Sequence, residues 1–376
     1  GVGRRDKDGW KLFTAQDGLP YDDFTLMAPG ENGAVWFGTR IGAIHFDGTT
    51  WEYRMAPRWL PDNLIRSLAV SANGNAWFAT EKGVGLIERK PITLAEKAEY
   101  FEEEIDKYNR RTPFGFVLSA RLKNPGDKSE WSNHDSDNDG LWTAMYGAGE
   151  CFAYGATKDP RAKVRAKNAF EALRFLSQVT QGGEHPAPPG FPARTILTTR
   201  GADPNETHYT LDTDADEQEK APQWTVIVPR RPTTADANCY WKCDTSSDEL
   251  DGHYFLNAVY YDLVADSPEE KARVRDVVVA TTYHLIDHGF DLVDHDGKPT
   301  RWGRFAPAGL NGGATLFQRG LNSLSVLSYL NVAEHMTGDI KSTKTYHELL
   351  RKHGYLANIL APKAQNGPGS GNQSDD

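Results

Sequence analysis

An internal repeat near the beginning of the chain constrains its fold more than any other feature. Residues 32–39 read NGAVWFGT and residues 73–80 read NGNAWFAT, so Trp36 and Trp77 stand 41 positions apart. Two further pairs keep the same offset, Trp10 with Trp51 and Gly42 with Gly83. Each copy has an Asn-Gly turn followed by a short apolar run, which is typical of antiparallel strands joined by tight turns. The pattern predicts a duplicated β unit within residues 1–92.

A period of about 41 residues is typical of one blade of a β-propeller. A blade buries its faces against neighbouring blades, so two copies cannot close a ring. We therefore expect the chain to be a fragment. The rest of the propeller would come from sequence preceding Gly1 or from another chain. In this interpretation the repeated tryptophans are packing anchors between blades.

The repeat resembles a known family. Gly18-Leu19-Pro20, followed by the motif at residues 32–39, resembles the two-component-regulator propeller repeat, over roughly residues 10–90. The resemblance implies a structural or ligand-docking propeller of the kind found in sensors and envelope proteins of polysaccharide-degrading bacteria. It therefore implies a periplasmic, cell-envelope or secreted location, and it does not imply catalysis.

The remainder, residues 93–376, has the pattern of helical hairpins. Thr93 and Glu96 form a capping box that predicts a helix reaching about Arg111. Asp159, and the box formed by Ser267 and Glu270, predict two more helix starts. The predicted pairs are residues 141–157 with 160–180, 250–265 with 268–288, and 321–336 with 340–353.

Between the first two pairs, residues 182–240 predict a β-rich insertion, with strands at 195–199, 208–211 and 224–228. The predicted fold is mainly α with a β N-terminal part: a partial propeller of two blades, then an α/α toroid of helical hairpins carrying a small β insertion. The usual toroid closes with six pairs. We therefore expect truncation at the C-terminus, where a Gly/Pro/Ser stretch at residues 366–370 follows the last helix.

Carboxylates gather before the first helix of each pair. The motifs are Ser136-Asp137-Asn138-Asp139, Ser247-Asp248-Glu249 and, at the chain end, Ser374-Asp375-Asp376. If these are the inner helices of a toroid, their starts face a central cleft. Glycoside hydrolysis needs two such acids, one to protonate the leaving oxygen and one to act as base or nucleophile. The alternative is that they are capping boxes, because acids favour helix N-termini.

The candidate catalytic residues are Asp137, Asp139, Asp248, Glu249 and His253. His253 lies about one helical turn beyond Asp248 and Glu249 and is a candidate proton carrier. Aromatic faces stack on sugar rings, and amide, imidazole and guanidinium groups bind hydroxyls. The candidate substrate-binding residues are Asn133, His134, Trp142, Tyr146, Arg194, Trp241, Tyr254, Arg301 and Trp302. For any single aromatic residue among them, a place in the core is the competing interpretation.

Residues 136–146, 190–194, 244–249, 252–253, 296–303 and 320–323 resemble an α/α-toroid domain of bacterial envelope proteins that carry propeller repeats. That domain is similar in architecture to the six-hairpin glycosidases and to the toroid polysaccharide lyases. The resemblance implies a carbohydrate-active protein. We expect a hydrolase acting on a polysaccharide or oligosaccharide.

Two alternatives stay open. One is a β-eliminating lyase on a uronic-acid polymer, served by Asn133, His134, Arg194, His253 and Tyr254. The other is a non-catalytic glycan-binding or sensor module.

Composition and cysteine content exclude other classes. The chain has 42 Lys and Arg against 52 Asp and Glu, a formal charge of −10. This balance disfavours a nucleic-acid partner, which needs a basic face. No apolar run approaches the roughly 20 residues of a membrane span. Only three cysteines are present, which rules out a disulfide scaffold.

No metal or cofactor is required by the predicted chemistry, although one cation motif is present. Asp135, Asp137 and Asp139, followed by Gly140, match the start of a calcium loop. The twelfth position is Tyr146 instead of a bidentate Glu, so an EF-hand is excluded and a looser Ca²⁺ site remains. Cys239 and Cys243 are weak zinc candidates, because their spacing is unusual and no second pair exists.

Overall fold

The computed structural model describes residues 1–208, 210–221, 224–313 and 315–361. The chain divides into two compact units. The first is Gly1–Glu104 with Ala120–Ser132, and the second is Ile105–Ser119 with Asn133–Asp376. The first unit thus extends beyond residue 92, where the sequence analysis places the domain boundary. Helix accounts for 43% and strand for 21%, with the strand region at the N-terminus, so the coarse fold class is confirmed.

The first unit begins with antiparallel strands joined by tight turns. A two-stranded hairpin is followed by a four-stranded sheet in the order β3-β4-β5-β6 and a three-stranded sheet in the order β7-β8-β9. The strands are β1 (Val2–Asp6), β2 (Gly9–Phe13), β3 (Phe24–Pro29), β4 (Val35–Thr39), β5 (Ala43–Phe46), β6 (Trp51–Arg54), β7 (Ser67–Val70), β8 (Ala76–Thr80) and β9 (Gly83–Ile87).

The strands follow the sequence repeat. β4 and β8 begin and end 41 residues apart, and each pairs antiparallel with the strands before and after it. Trp36 is buried and meets Phe78 edge-on at 5.3 Å. Trp77, at the equivalent position, is 47% exposed, and Trp10 is 74% exposed. Trp36 therefore packs inside the first unit, whereas Trp77 and Trp10 are exposed in it; packing of the tryptophans between blades of a complete ring stays a prediction.

The capping box at Thr93 is confirmed, since Glu96 N–H donates to Thr93 Oγ1 (3.1 Å) and Thr93 N–H to Glu96 Oε2 (2.7 Å). The helix it starts, α1 (Leu94–Glu104), continues as a π-helical segment over Ile105–Asn109, so helical structure ends close to the predicted Arg111. β10 (Arg110–Arg111) follows, because it pairs with β11 (Phe116–Val117) and Thr112 precedes a proline. The next hairpin is β12 (Ala120–Asn124) with β13 (Asp127–Asn133).

The second unit contains the three predicted helical hairpins. They are α2 (Asp139–Thr157) with α3 (Pro160–Gln178), α6 (Ser247–Leu263) with α7 (Pro268–Asp287), and α9 (Arg319–Thr337) with α10 (Ile340–Lys352). The other elements are β14 (Ile196–Thr198), α4 (Pro204–Thr207), α5 (Leu211–Lys220), β15 (Cys239–Trp241), β16 (Asp291–Val293), β17 (Pro299–Arg304), α8 (Pro307–Leu310) and α11 (Tyr355–Asn358).

The second helix of each hairpin starts at the same kind of cap. Asp159 accepts from Arg161 N (2.8 Å), Ser267 from Glu270 N (3.1 Å) and Asp339 from Lys341 N (3.0 Å). A side-chain oxygen satisfies one of the otherwise unpaired N–H groups at each start.

The first helices of the three hairpins run parallel to one another. Near the start of α2, Leu141 N–H donates to Glu249 of α6 (3.1 Å), and near its end Gly155 lies against Leu263 of α6. Helices α6 and α9 are aligned in the same sense. Tyr329 O–H donates to Asp251 (2.5 Å), and further along His335 lies 2.9 Å from Asp262. The N-termini of α2, α6 and α9 therefore lie at one end of the unit, which is where the predicted carboxylates lie.

The insertion at residues 182–240 differs from its prediction. Only its first predicted strand is present, as β14, which pairs with β15. Residues 224–228 form no strand, and Leu211 begins α5 because Thr210 and Thr213 make a capping box before an acidic first turn. The motif Ser374-Asp375-Asp376 and the stretch at 366–370 lie outside the described residues. Within the described part of the chain, no helix is long and apolar enough to span a membrane.

Candidate functional site

The predicted acids of α2 and α6 lie around one buried arginine. Arg194 is 5% exposed, and its Nε donates to the carbonyl oxygen of Asp137 (2.7 Å). The same guanidinium donates to the carbonyl oxygen of Asp244 (3.0 Å) and to Asn138 Oδ1 (3.2 Å). Electrostatically it interacts with the carboxylates of Asp137, Asp244, Glu249 and Asp248. Arg194 thus ties the loop before α2 to the loop before α6.

Asp139 is the first residue of α2. The predicted capping box is not formed, because the N-cap is Asn138 and its side chain accepts no hydrogen bond from the helix. The carboxylate of Asp139 instead holds the preceding loop. Its Oδ1 accepts from Ser136 N (3.0 Å) and Ser136 Oγ (2.9 Å). Its Oδ2 accepts from Thr195 Oγ1 and from Arg111 (3.0 Å). The side chain is fully buried, and burial raises the pKa of Asp139 although Thr195 and Arg111 favour its charged form. Every oxygen of this acid is engaged by the protein, so its position supports a structural role at the site.

Glu249 acts across the interface between two helices. Its Oε1 accepts from Leu141 N–H, so an acid of α6 satisfies one of the open donors at the start of α2. Its Oε2 is buried with no hydrogen-bond partner among the described residues. Burial raises the pKa of Glu249 well above its ordinary value, against the opposing charge of Arg194.

His253 lies one turn further along α6. Its Nε2 is also buried without a described hydrogen-bond partner, and burial lowers its pKa to about 4. A Cβ built on Gly140 would lie 2.2 Å from Glu249 Oε2 and 3.2 Å from His253 Nε2. Both unpartnered atoms therefore face the backbone of Gly140, and any larger residue there would displace them. Glu249 and His253 thus lie buried together against the start of α2.

Asp137 and Asp248 are the accessible acids. The Asp137 side chain is 50% exposed, and its Oδ1 is paired with Lys242. Although partial burial works the other way, the charges of Arg194 and Lys242 hold the pKa of Asp137 well below its usual range. Asp248 is partly exposed, and its Oδ1 accepts from Ser246 Oγ. The structure thus brings two partly exposed carboxylates to the adjoining starts of α2 and α6.

A layer of arginine and tryptophan adjoins Asp137. Arg301 is paired with Asp244 Oδ2 (3.4 Å), and its guanidinium lies over the rings of Trp224 (4.9 Å) and Trp302 (5.1 Å). Trp224 also lies under Arg230 (4.1 Å). The positive charge of Arg301 contributes to the low pKa of Asp137. Arg301 and Trp302, both predicted for substrate binding, are therefore close neighbours of the site.

The remaining predicted residues are divided between surface and core. Trp142 is 45% exposed on α2, and Tyr146 accepts from Arg110 (2.9 Å). Asn133 donates to the carbonyl oxygen of Tyr108 (2.5 Å), and His134 is partly exposed.

Two of the predicted aromatic residues lie in the core. Trp241 is fully buried. Tyr254 is buried, stacks on Tyr329 at 4.1 Å and shares a hydrogen bond with Thr282 (2.7 Å).

The three acids of the predicted calcium motif point to separate partners. Asp135 is paired with Arg231, Asp137 with Lys242 and Asp139 with Arg111. A cation at this place would have to compete with three basic side chains. The calcium site stays a prediction without structural support.

Sequence reasoning did not select several residues that build the site. They are Arg111, Thr195, Trp224, Arg230, Lys242 and Asp244. Only Lys242 and Asp244 had a visible signal, because they directly precede the second acidic motif. Thr195, Trp224 and Arg230 reach the site through long-range packing of the insertion, and Arg111 reaches it from β10, so no local pattern predicts them.

A separate cavity of about 930 Å³ lies in the first unit and contains none of the predicted site residues. Its walls come from both sheets and include Trp36, His45, Glu52, Trp59, Asn75 and Arg89. Arg89 lies 3.0 Å from His45 Nδ1 and 3.3 Å from Glu52 Oε2, and Trp59 is 43% exposed. The volume is within the range of small-molecule pockets, and the lining combines aromatic and polar groups.

Comparisons of the chain with family models, with curated proteins and with solved structures find no match. The geometry of the two units is therefore the basis for a functional assignment.

Proposed function

We propose that the chain is a carbohydrate-active enzyme whose second unit hydrolyses glycosidic bonds at the end where α2 and α6 begin. One observation carries this proposal: Asp137 and Asp248 are partly exposed carboxylates at adjoining helix starts, and both interact electrostatically with the buried Arg194. Glycoside hydrolysis needs two carboxyl groups in different protonation states at one cleft.

Asp137 is the candidate base or nucleophile. Arg194 and Lys242 keep it ionised by lowering its pKa, and its exposure leaves an oxygen open to a substrate. Asp248 is then the candidate proton donor, because the reaction needs a second acid and Asp248 is the partly exposed one at the start of α6. Asp139, Glu249 and His253 are buried, so we assign them to positioning the two helix starts.

The neighbouring side chains suit a saccharide. Trp142 is exposed on α2, and Trp302 lies beside Arg301 and close to Asp137. Flat aromatic rings next to charged hydrogen-bonding groups are the usual lining of a sugar site. The parallel first helices of three hairpins support an α/α toroid. We therefore propose a toroid like that of the six-hairpin glycosidases, in a protein of the bacterial envelope or exterior.

The lyase alternative has weaker support. It requires a base such as His253 or Tyr254 at the substrate. Both are buried, and the Tyr254 hydroxyl is taken by Thr282. A hydrolytic mechanism uses Asp137 and Asp248, which are already exposed to solvent.

The test is a screen of polysaccharides and oligosaccharides with the full chain, reading reducing ends and the ultraviolet absorbance of unsaturated products together. We expect reducing ends without absorbance on one substrate class. Asp137→Asn and Asp248→Asn should each lower the rate at least about 100-fold, the usual effect of removing a catalytic acid or base. The matched control is Asp159→Asn, the same substitution at the start of α3, which should keep full activity.

Each contrary outcome has a distinct meaning. Absorbance of an unsaturated sugar would replace the hydrolase by a lyase. Hydrolysis that survives both substitutions would remove these two acids from the mechanism. Binding of a saccharide without any cleavage, in a chain that carries Trp59→Ala and so lacks the aromatic wall of the first-unit cavity, would make the second unit a receptor.

A second candidate function, ligand binding by the first unit, is supported by the 930 Å³ cavity. We propose that the first unit is two blades of a propeller and that this cavity binds a small saccharide, with Trp59 as the stacking surface. Calorimetric titration with oligosaccharides should give binding that Trp59→Ala abolishes. Trp77→Ala, an equally exposed tryptophan that does not line the cavity, is the control and should leave binding unchanged.

A further inference from the structure

Three potential metal ligands meet beside the candidate site, in a cluster that the hydrolytic proposal does not use. Cys243, Asp294 and His295 each offer one ligand atom, and these atoms lie within 4.8 Å of one another. Cys243 and Asp294 are buried, and His295 is partly buried. Cys243 follows β15, whereas Asp294 and His295 follow β16, so the cluster joins two loops that are far apart in sequence.

Backbone hydrogen bonds hold these loops in place. Cys243 N–H donates to the carbonyl oxygen of Arg230 (3.1 Å), and Asp244 N–H donates to Asp294 Oδ2 (2.7 Å). Asp294 Oδ1 accepts from the backbone N–H of His295 (2.7 Å). Each carboxylate oxygen thus takes one backbone donor and keeps a further lone pair. These hydrogen bonds hold the two loops that carry the three metal-ligating residues in place without an ion.

The histidine has the support expected of a metal ligand. Its Nε2 lies 3.0 Å from the carbonyl oxygen of Pro229, and Cys243 Sγ lies 3.7 Å from the same oxygen. A histidine that donates one ring N–H to a backbone carbonyl keeps its other nitrogen as a lone-pair donor, the common arrangement of ligating histidines. His185 lies next to it, with 5.5 Å between the ring centroids, and is the nearest further nitrogen donor.

We propose that Cys243, Asp294 and His295 bind a divalent transition-metal ion of borderline softness, of which Zn²⁺ is the representative. Thiolate, imidazole and carboxylate together favour this class, whereas Ca²⁺ and Mg²⁺ prefer oxygen ligands alone. Ligands of tetrahedral zinc stand about 3.5 Å apart, so atoms that lie within 4.8 Å of one another have to approach by no more than about 1.3 Å. The fourth position is open to water or to His185.

The charge of Arg230 near Cys243 opposes a cation, but this guanidinium is already neutralised. It is paired with Asp244 (3.6 Å) and with Asp214 (3.8 Å). Cysteine binds zinc as the thiolate, so binding releases the thiol proton to solvent. An ion here would join the loop of Asp244, which contacts Arg194 and Arg301, to the turn after β16. We therefore assign it a structural role behind the candidate site.

The test is a titration of the full chain, freed of metal by a chelator, with Co²⁺ alone. We expect one Co²⁺ per chain, visible d–d bands, a thiolate-to-cobalt charge-transfer band in the near ultraviolet, release of at least one proton, and displacement by Zn²⁺. Cys243→Ser should remove the charge-transfer band, and His295→Gln should weaken binding at least tenfold. Cys239→Ser, also buried and four residues away, is the matched control and should retain every signal.

Binding without a charge-transfer band, or a band that is lost in Cys239→Ser and kept in Cys243→Ser, would overturn the assignment. So would the absence of binding in the native protein. Circular dichroism of each variant separates loss of the site from loss of the fold. If Cys243→Ser does not fold, His295→Gln decides, because a partly buried histidine on a turn tolerates replacement. An unchanged cobalt affinity in that variant refutes the proposal.

Discussion

The close packing of α2 against α3 and α6 depends on Gly147, and this dependence is testable with a matched pair of substitutions. A Cβ built on Gly147 would lie 2.5 Å from Ala169 Cβ of α3 and 3.0 Å from a Leu256 methyl group of α6. Carbon atoms pack at about 3.5–4.0 Å. Ala169 Cβ is fixed to the backbone, so only separation of the helices by about 1 Å relieves the contact. Gly149 lies two positions further along α2. A Cβ built on Gly149 would have no neighbouring atom within 4 Å.

Both glycines are helical, so replacement by alanine gains about 0.5–1 kcal/mol of helix propensity at either position. At Gly147 the overpacking costs about 1–3 kcal/mol. We therefore expect Gly149→Ala to raise the free energy of unfolding by about 0.5–1 kcal/mol. Gly147→Ala should lower it, by up to about 2.5 kcal/mol when the two terms are combined.

The assay is thermal and urea unfolding followed by far-ultraviolet circular dichroism, which reports mainly on the helical second unit. One kcal/mol corresponds to about 2–4 °C in the melting temperature of a unit of this size. Gly149→Ala should therefore melt higher and Gly147→Ala lower than the native protein. If both variants are stabilised equally, α2 does not approach α3 and α6 as closely as described. The parallel alignment that brings Asp137 to Asp248 would then lose its support.

Three further predictions concern the buried polar groups. Asp139→Asn should cost about 1.5–3 kcal/mol in urea unfolding, because the partly buried Arg111 loses its charged partner and keeps only Thr195 and the Ile196 carbonyl; a loss below about 1 kcal/mol would show that the pair is solvated. His284 is held neutral, since Nδ1 donates to the carbonyl oxygen of Pro189 (3.1 Å), Nε2 accepts from Val293 N–H (2.9 Å), and burial lowers its pKa to about 4. Below pH 6.5 the unfolded chain binds a proton at this position that the folded chain does not bind, so His284 alone should lower stability by about 1.4 kcal/mol per pH unit between about pH 6.5 and 4, in addition to the same effect of His253; His284→Gln should reduce the slope by that amount, and an unchanged slope would assign it to other groups. Glu249→Leu should lower the free energy of unfolding by about 1–3 kcal/mol, because Leu141 N–H loses its acceptor, whereas Glu249→Gln keeps an acceptor oxygen. Equal urea midpoints for the two variants would contradict the hydrogen bond between Leu141 and Glu249.

The fold was predictable from sequence where the signal is local. The 41-residue offset anticipates the positions of β4 and β8 residue for residue. Capping signals at Thr93, Asp159 and Ser267 place three helix starts correctly, because a cap depends on only a few adjacent residues. The failures occur where partners distant in the chain decide. Residues 224–228 have the composition of a strand but no partner strand, and the Trp224 indole instead donates to Asp214 (2.7 Å).

The candidate site was predictable as a set of residue types but not as a set of roles. The sequence treats the acidic motifs of the hairpins as equivalent. In the structure Asp139 holds Ser136 of the preceding loop, whereas Glu249 reaches across to the start of α2. The packing of α2 on α6 determines which acid of each motif is buried and which stays exposed. That packing depends on a glycine-lined contact whose sequence signal is too weak to identify alone.

The difference between buried and exposed acids also bears on the choice between a structural and a catalytic role for each motif. The two were alternatives for each motif, but the described motifs contain more than one acid each. Asp139 and Glu249 are fully buried, and Glu249 satisfies the open donor of Leu141 at the start of α2. Asp137 and Asp248 both retain exposure to solvent. The contact of Glu249 with the start of α2 therefore holds the two helix starts together, and it is this contact that brings two accessible carboxylates to one end of the unit.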